Sequence, residues 1–248
     1  MSVRGKTVLI TGGGTGLGAD LATSFAREGA RVWIAGRTAA TLDKVAATHA
    51  DIHAVEADVT DETSVGAMFD FIDAPDIVIA NAGASSSAPF ARTELADWQA
   101  MIDVNLTGTF LTFRAALKGM KTAPWGRLIA VASTAGLKGY AYVAPYAAAK
   151  HGVVGMVRSL ALETAKTGIT VNALCPGFLD TEMTVRSIDN ITAKTGMTAE
   201  KARATLEATN PQHRLIQPAE VTAAALWLCG PGSEGITGQA ISISGGET

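Results

Sequence analysis

The run Thr7-Val8-Leu9-Ile10 leads straight into Thr11-Gly12-Gly13-Gly14-Thr15-Gly16-Leu17-Gly18, after which Leu21, Ala22, Phe25 and Ala26 recur at helical spacing until Gly29. A short β-rich apolar run, a glycine turn and an amphipathic pattern read as strand, turn, helix. Glycines let main chain approach a ligand with no Cβ in the way, and a helix N-terminus offers unpaired N–H groups and positive dipole. Glycines also serve bare turns. Between a strand and a helix, however, the turn suits the pyrophosphate of a dinucleotide, with Thr11, Gly12, Gly14, Thr15, Gly16, Leu17 and Gly18 as the expected contacts.

The rest of the chain repeats the alternation. Apolar runs fall at Thr7–Ile10, Arg31–Ala35, Ile52–Glu56, Asp76–Ala80, Arg127–Ala132, Thr170–Leu174 and Gln239–Ile243. Several are continuous in Val, Ile, Leu and Ala, as strands buried on both faces should be. Helical patterns fit between them at Gly16–Glu28, Ala39–His49, Thr63–Phe71, Glu94–Met120, Pro145–Thr167 and Ala219–Leu228. The expectation is an α/β fold of Rossmann type, a doubly wound parallel sheet of about seven strands with helices on both faces, forming a single domain over residues 1–248. From Phe178 to Pro218 the alternation stops, and only Met197–Ala208 reads as a helix, opening at Thr198.

At the end of the second run stands Gly36-Arg37, where a carboxylate would favour NAD. Without that carboxylate a 2′-phosphate meets no repulsion, and a guanidinium can bind it in bidentate fashion. NADP(H) is therefore the preferred cofactor, with NAD(H) possible if Arg37 is only a solvated turn residue.

Chemistry is suggested by Tyr146-Ala147-Ala148-Ala149-Lys150, with Ser133 thirteen residues before the tyrosine. On a helix, positions i and i+4 share a face. An ammonium about 5 Å from a phenol, at an effective dielectric of about 20, stabilises phenolate by roughly 3 kcal/mol, or about two pKa units. That would bring Tyr146 towards the range of efficient acid–base work, with Ser133 holding the oxygen that it protonates.

With these residues in place, the chain resembles the short-chain dehydrogenase/reductase family over nearly its whole length. The family's T-G-x-x-x-G-x-G turn is matched by Thr11, Gly12, Gly16 and Gly18, and its Asp-Val after the third strand by Asp58-Val59. Asn81-Ala82-Gly83 matches the turn after strand four, Asn105 the catalytic asparagine, and Pro176-Gly177 with Thr181 the segment over the nicotinamide. The resemblance implies a catalytic set of Asn105, Ser133, Tyr146 and Lys150. Tyr146 and Lys150 would also contact cofactor, Asp58 would meet the adenine amino group, and Asn105 would anchor a water linking Lys150 to solvent. Many NADP-using members carry Lys or Arg where this chain has Thr15, so cofactor choice rests on Arg37. The same resemblance makes residues 178–218 a lid over substrate. Arg186, Lys194, Lys201 and Arg203 there could meet coenzyme A phosphates, but interleaved acids favour a mixed solvated surface. The tail from Asn210-Pro211-Gln212 to Gly245-Gly246-Glu247 looks like that of 3-hydroxyacyl-CoA dehydrogenases and 3-oxoacyl thioester reductases. A 3-oxoacyl thioester is thus the first substrate expectation and a free ketone or secondary alcohol the second. A non-catalytic dinucleotide-binding role is remote, because such chains usually lose the tyrosine or the lysine.

Bulk properties narrow the rest. A length of 248 residues allows one large core, and a net charge of −3 with no basic stripe gives no reason to expect nucleic acid. Two cysteines cannot form a disulfide framework, and the four histidines show no metal-ligand spacing, so no metal is expected. No run approaches membrane-spanning length, and a cytoplasmic location follows as the default. By resemblance, helices Glu94–Met120 and Pro145–Thr167 pair across a two-fold axis in a homotetramer, with Val153, Val154, Met156, Val157 and Leu160 as candidate apolar surface.

Overall fold

A computed structural model of the chain describes residues 3–72, 74–120 and 124–248. Its elements run β1 (Thr7–Thr11), α1 (Gly16–Arg27), β2 (Arg31–Gly36), α2 (Ala39–Ala46), β3 (Ile52–Glu56), α3 (Glu62–Phe71) and β4 (Ile77–Ala80). There follow α4 (Leu95–Ile102), α5 (Gly108–Met120), β5 (Gly126–Val131), α6 (Ala144–Thr164), β6 (Ile169–Pro176), α7 (Glu182–Thr195), α8 (Ala199–Glu207), α9 (Pro218–Leu228) and β7 (Ala240–Ile243). The strands form one parallel sheet in the order β3-β2-β1-β4-β5-β6-β7. The chain winds outward from β1 to β3 and then returns to place β4 on the other side of β1. The strand order therefore switches between β1 and β4, and the crevice beyond their carboxyl ends is where ligands bind in such sheets.

Burial explains the continuous apolar runs. Every residue of β4, β5 and β6 is buried. Alternation along β1 sends Val8 and Ile10 to the layer holding Leu21, Phe25, Leu42, Val221 and Leu228 of α1, α2 and α9. Leu9 joins the opposite layer, with Val65, Met68, Phe113, Val153 and Val157 of α3, α5 and α6. Each such side chain contributes about 1.5–3 kcal/mol by leaving water. A third, small cluster of Ile188, Ala202, Leu206 and Leu215 belongs to the segment between β6 and α9.

Three expectations need correction. The single helix foreseen at Glu94–Met120 is interrupted by a wide π turn over Asp103–Thr107, between α4 and α5. Helix α7 was not foreseen, because Met183 and Val185 are exposed and only Thr184 and Ile188 are buried, which leaves too thin an apolar stripe to read. Of the apolar residues proposed for a subunit contact, Val153, Val154 and Val157 face the sheet and are used up in the core.

Close packing at the glycine turn sets a test. A Cβ on Gly18 would lie 2.1 Å from the Gly12 carbonyl oxygen, whereas one on Gly66, within α3, would meet nothing within 4 Å. Gly18→Ala is expected to lower unfolding free energy by about 1–3 kcal/mol. Gly66→Ala is expected to raise it by about 0.5–1 kcal/mol, and denaturant midpoints read both signs in one assay.

Candidate active site

The carboxyl ends of β1 and β4 are tied together by side chains. Thr11, 1% exposed, accepts from the Asn81 and Ala82 main-chain N–H groups at 3.1 Å through its hydroxyl, and the Asn81 amide donates to the Thr11 and Gly12 carbonyls at 3.0 and 3.2 Å. These two residues, foreseen as cofactor contacts, build the turn that carries the others. Gly12 has φ +66, and a Cβ there would meet Ala82 Cα at 2.9 Å; Gly14 leaves equally little room, at 2.7 Å from Thr41 Oγ1. Thr15 precedes α1 without capping it through its side chain, so the first N–H groups of the helix, at Gly16, Leu17 and Gly18, have no partner from that residue. An uncapped helix N-terminus beside a Cβ-free cradle fits a pyrophosphate. Leu17 can take part only through its main chain, because its side chain is 6% exposed in the core.

Beyond β2, Arg37 is exposed and stands near Asp58. Asp58 accepts from the Thr60 N–H at 2.9 Å and its hydroxyl at 2.7 Å. Those bonds hold the carboxyl below its ordinary value, with a smaller contribution from Arg37. Val59 is buried and packs on Gly108, where a Cβ would come within 2.8 Å.

The proton-handling residues converge from three elements. Ser133 follows β5 and accepts from the Ala135 N–H at 3.1 Å, opening the turn Thr134–Gly136. Tyr146 and Lys150 lie one turn apart on α6, with the lysine Nζ 5.6 Å from the phenol ring centre. Lys150 is 4% exposed and donates to the Val131 carbonyl at 2.9 Å. Asn105 sits in the π turn, fully buried, and its amide donates to the Ala84 and Met101 carbonyls at 2.9 and 3.0 Å. Its Oδ1 accepts from the Ala84 N–H at 3.3 Å. Gly83 separates the two polar groups: a Cβ there would lie 2.7 Å from Asn105 Oδ1 and 3.6 Å from Lys150 Nζ.

The electrostatics differ from the sequence-based expectation. Burial pushes the Tyr146 phenol above its ordinary value, and the Ser133 hydroxyl only partly offsets this. Burial also brings the Lys150 amine down to about 8.

On the far wall, Gly177 donates its N–H to the Ile243 carbonyl at 3.0 Å, following Pro176 at the end of β6. Thr181 precedes α7 and reaches back to the glycine turn, 3.3 Å from a Cβ placed on Gly16. Across the cleft, Asn190 donates to the Ser87 hydroxyl and Lys194 to the Ser87 carbonyl, both at 3.0 Å. Arg203 is paired with Glu207 at 2.8 Å and Asp180 at 3.4 Å. Two of the four lid cations considered for coenzyme A phosphates are thus engaged inside the protein. Tyr140 and Phe178, in T-shaped contact with ring centres 6.4 Å apart, join this wall and were not singled out from sequence. Their signal was only an aromatic in each of two loops flanking the catalytic residues.

A pH test follows from the buried amine. Between about 8 and 10.5 the unfolded chain keeps a proton on Lys150 that the native chain has released, so this group makes stability rise with pH in that window. The buried thiols of Cys175 and Cys229, pushed up to about 11 and about 12, act in the opposite sense. In cofactor-free protein, stability from pH 8 to 10 is therefore expected to rise more, or fall less, for wild type than for Lys150→Met, as read by urea unfolding.

The geometry matches known proteins throughout its length. The short chain dehydrogenase family model matches residues 6–192. D-beta-hydroxybutyrate dehydrogenase of Cupriavidus necator is 34% identical over 98% of both chains. The 3-oxoacyl-[acyl-carrier-protein] reductase of Aquifex aeolicus is 32% identical over 99% of this chain and 98% of its own. Among solved structures, a variant of actinorhodin polyketide ketoreductase with NADPH superposes with a TM-score of 0.93 at 33% identity, covering 98% of this chain and 97% of the other. The glycine cradle, the Tyr146–Lys150 helix and the matches agree: the chain belongs to the short-chain dehydrogenase family and is an oxidoreductase of ketones and secondary alcohols.

Proposed function

We propose that the protein is an NADPH-dependent reductase of 3-oxoacyl thioesters. The observation that carries this reading is the convergence of Ser133 after β5 with Tyr146 and Lys150 on one face of α6, and the cofactor reading is supported by the uncapped α1 N-terminus and by Arg37 after β2. Bound NADPH supplies the hydride. The Ser133 hydroxyl holds the substrate carbonyl oxygen, and Tyr146 gives its proton to the oxygen as charge develops there. Lys150 stabilises the phenolate left behind, and Asn105 would anchor a water that links Lys150 to solvent and returns the proton. The segment 178–218 acts as the lid of the single domain 1–248. The thioester class is supported by the 3-oxoacyl reductase and polyketide ketoreductase relatives.

A second reading, a free ketone or secondary alcohol, draws on the engagement of Lys194 with the Ser87 carbonyl and of Arg203 with two acids, which leaves Arg186 and Lys201 as the two of these four lid cations with neither an ion pair nor a side-chain hydrogen bond among the described residues. Loss of NADPH absorbance with acetoacetyl-CoA, set against acetoacetate, decides between them: faster turnover of the thioester supports the first reading, and turnover of the free acid alone overturns it.

In the cell we place the enzyme in the cytoplasm as a homotetramer. No described helix is long and apolar enough to cross a membrane. Phe110 on α5 and Leu162 on α6, 43% and 80% exposed, offer apolar surface on the two helices expected to pair.

Tyr146→Phe is expected to reduce turnover by about 100-fold or more while NADPH still binds, as followed by cofactor fluorescence. Arg37→Ala should weaken NADPH binding about tenfold and leave NADH nearly unchanged. Equal losses for both cofactors would remove the 2′-phosphate assignment.

A further inference from the structure

The end of the chain returns to the catalytic site. After β7, Gly245 and Gly246 take φ of +65 and +96, reversing the main chain so that Glu247 enters the wall behind Gly177. Its side chain is 1% exposed. A carboxylate so buried has to be met by donors, and one oxygen is: Lys138 Nζ lies 3.0 Å from Oε1, which also accepts from the Tyr140 phenol. The second oxygen, Oε2, has no hydrogen-bond partner and sits 3.3 Å from a Cβ placed on Gly177.

Tyr140 Oη is also 2.6 Å from Thr134 Oγ1. A phenol has one proton and a carboxylate only accepts, so the Thr134 hydroxyl donates to Tyr140 and Tyr140 donates to Glu247. Thr134 is the neighbour of Ser133 and opens a turn packed hard on α6, where a Cβ on Gly136 would come within 2.8 Å of the Lys150 carbonyl oxygen. The same Tyr140 ring meets Phe178 edge-on at the start of the 178–218 segment. A half-satisfied buried carboxylate is a costly way to hold a tail in place, and an apolar residue would do that better. What only the carboxylate does is orient the Tyr140 proton, and with it the Thr134 hydroxyl.

We propose that Glu247 is a positioning residue for the reduction: through Tyr140 and Thr134 it fixes the turn carrying Ser133, and Lys138 closes the same latch from outside. This rests on the proposed reductase reading only in that Ser133 receives the substrate carbonyl. The latch sets where Ser133 Oγ sits relative to Tyr146, so it acts on the chemical step more than on substrate or cofactor affinity.

The test compares Glu247→Gln, Tyr140→Phe and the double variant in the full chain, with NADPH and acetoacetyl-CoA. Each single change is expected to lower kcat about tenfold, with KM and NADPH affinity altered less than about twofold. The double variant should fall no further than the worse single one, because both break one chain of bonds. Hydrogen exchange supplies the second readout. The Gly136, Leu137 and Lys138 amides, bonded within the turn to Ser133 and Thr134 carbonyls, should exchange about tenfold faster in each variant while β4 amides do not change. Unchanged kcat, additive losses, or a rise in KM matching the fall in kcat would each overturn the proposal, as would unaltered exchange in the turn. If wild type fails to reduce acetoacetyl-CoA, the thioester reading falls and the exchange result alone decides the latch. Should Glu247→Gln not fold, a chain ending at Gly246 is measured in its place with the same expected outcomes.

Discussion

An amine almost wholly withdrawn from water must be solvated by the protein, and around Lys150 that requirement organises everything else. Its Nζ is satisfied by the Val131 carbonyl at the end of β5, which fixes how α6 lies against the sheet. Gly83 has to be a glycine for the Asn105 amide to approach from the opposite side. That amide reaches its place because the helix between α4 and α5 widens into a π turn, freeing Met101's carbonyl to accept from the side chain. Gly136 in turn lets the Ser133 turn lie directly on the Lys150 main chain. One desolvated nitrogen thus accounts for the glycine at 83, the wide turn at Asn105 and the tight one after Ser133.

The cofactor half depends on a comparable economy at the switch point. Thr11 and Asn81 tie the ends of β1 and β4 to each other, and Thr15 leaves the start of α1 without a side-chain cap. Their side chains hold the turn together, and the glycines beside them leave room against it. Spacing in the sequence cannot separate these two roles, because both residue types recur in the same short motif and only the direction of each bond tells them apart.

Much of the fold was legible because a parallel sheet buried on both faces writes itself as uninterrupted Val, Ile and Leu, as in Ile77–Ala80 and Ile169–Pro176. The strand–turn–helix at Thr7–Arg27 was readable for the same reason, together with its glycines. Helix α7 was not, since its neighbours bury so little of it that no stripe appears. Spacing alone shows the i, i+4 lysine beside Tyr146 but not the desolvation that pushes the phenol up and the amine down, which is a property of the packed structure. Glu247 entered the sequence reading only as part of a family-like tail, and its burial follows from the reversal at Gly245 and Gly246, which no spacing shows.

The segment between β6 and α9 has its own small cluster around Ile188, Leu206 and Leu215, and its helix α7 is joined to the opposite rim by two hydrogen bonds to Ser87. In the proposed lid role, a unit that keeps its own packing would swing as a rigid piece, at a free-energy cost far below that of global unfolding. The cleft would then admit and release molecules without loosening the buried lysine. Turnover paced by such a swing would respond to solvent viscosity and leave an isotope effect on hydride transfer largely masked.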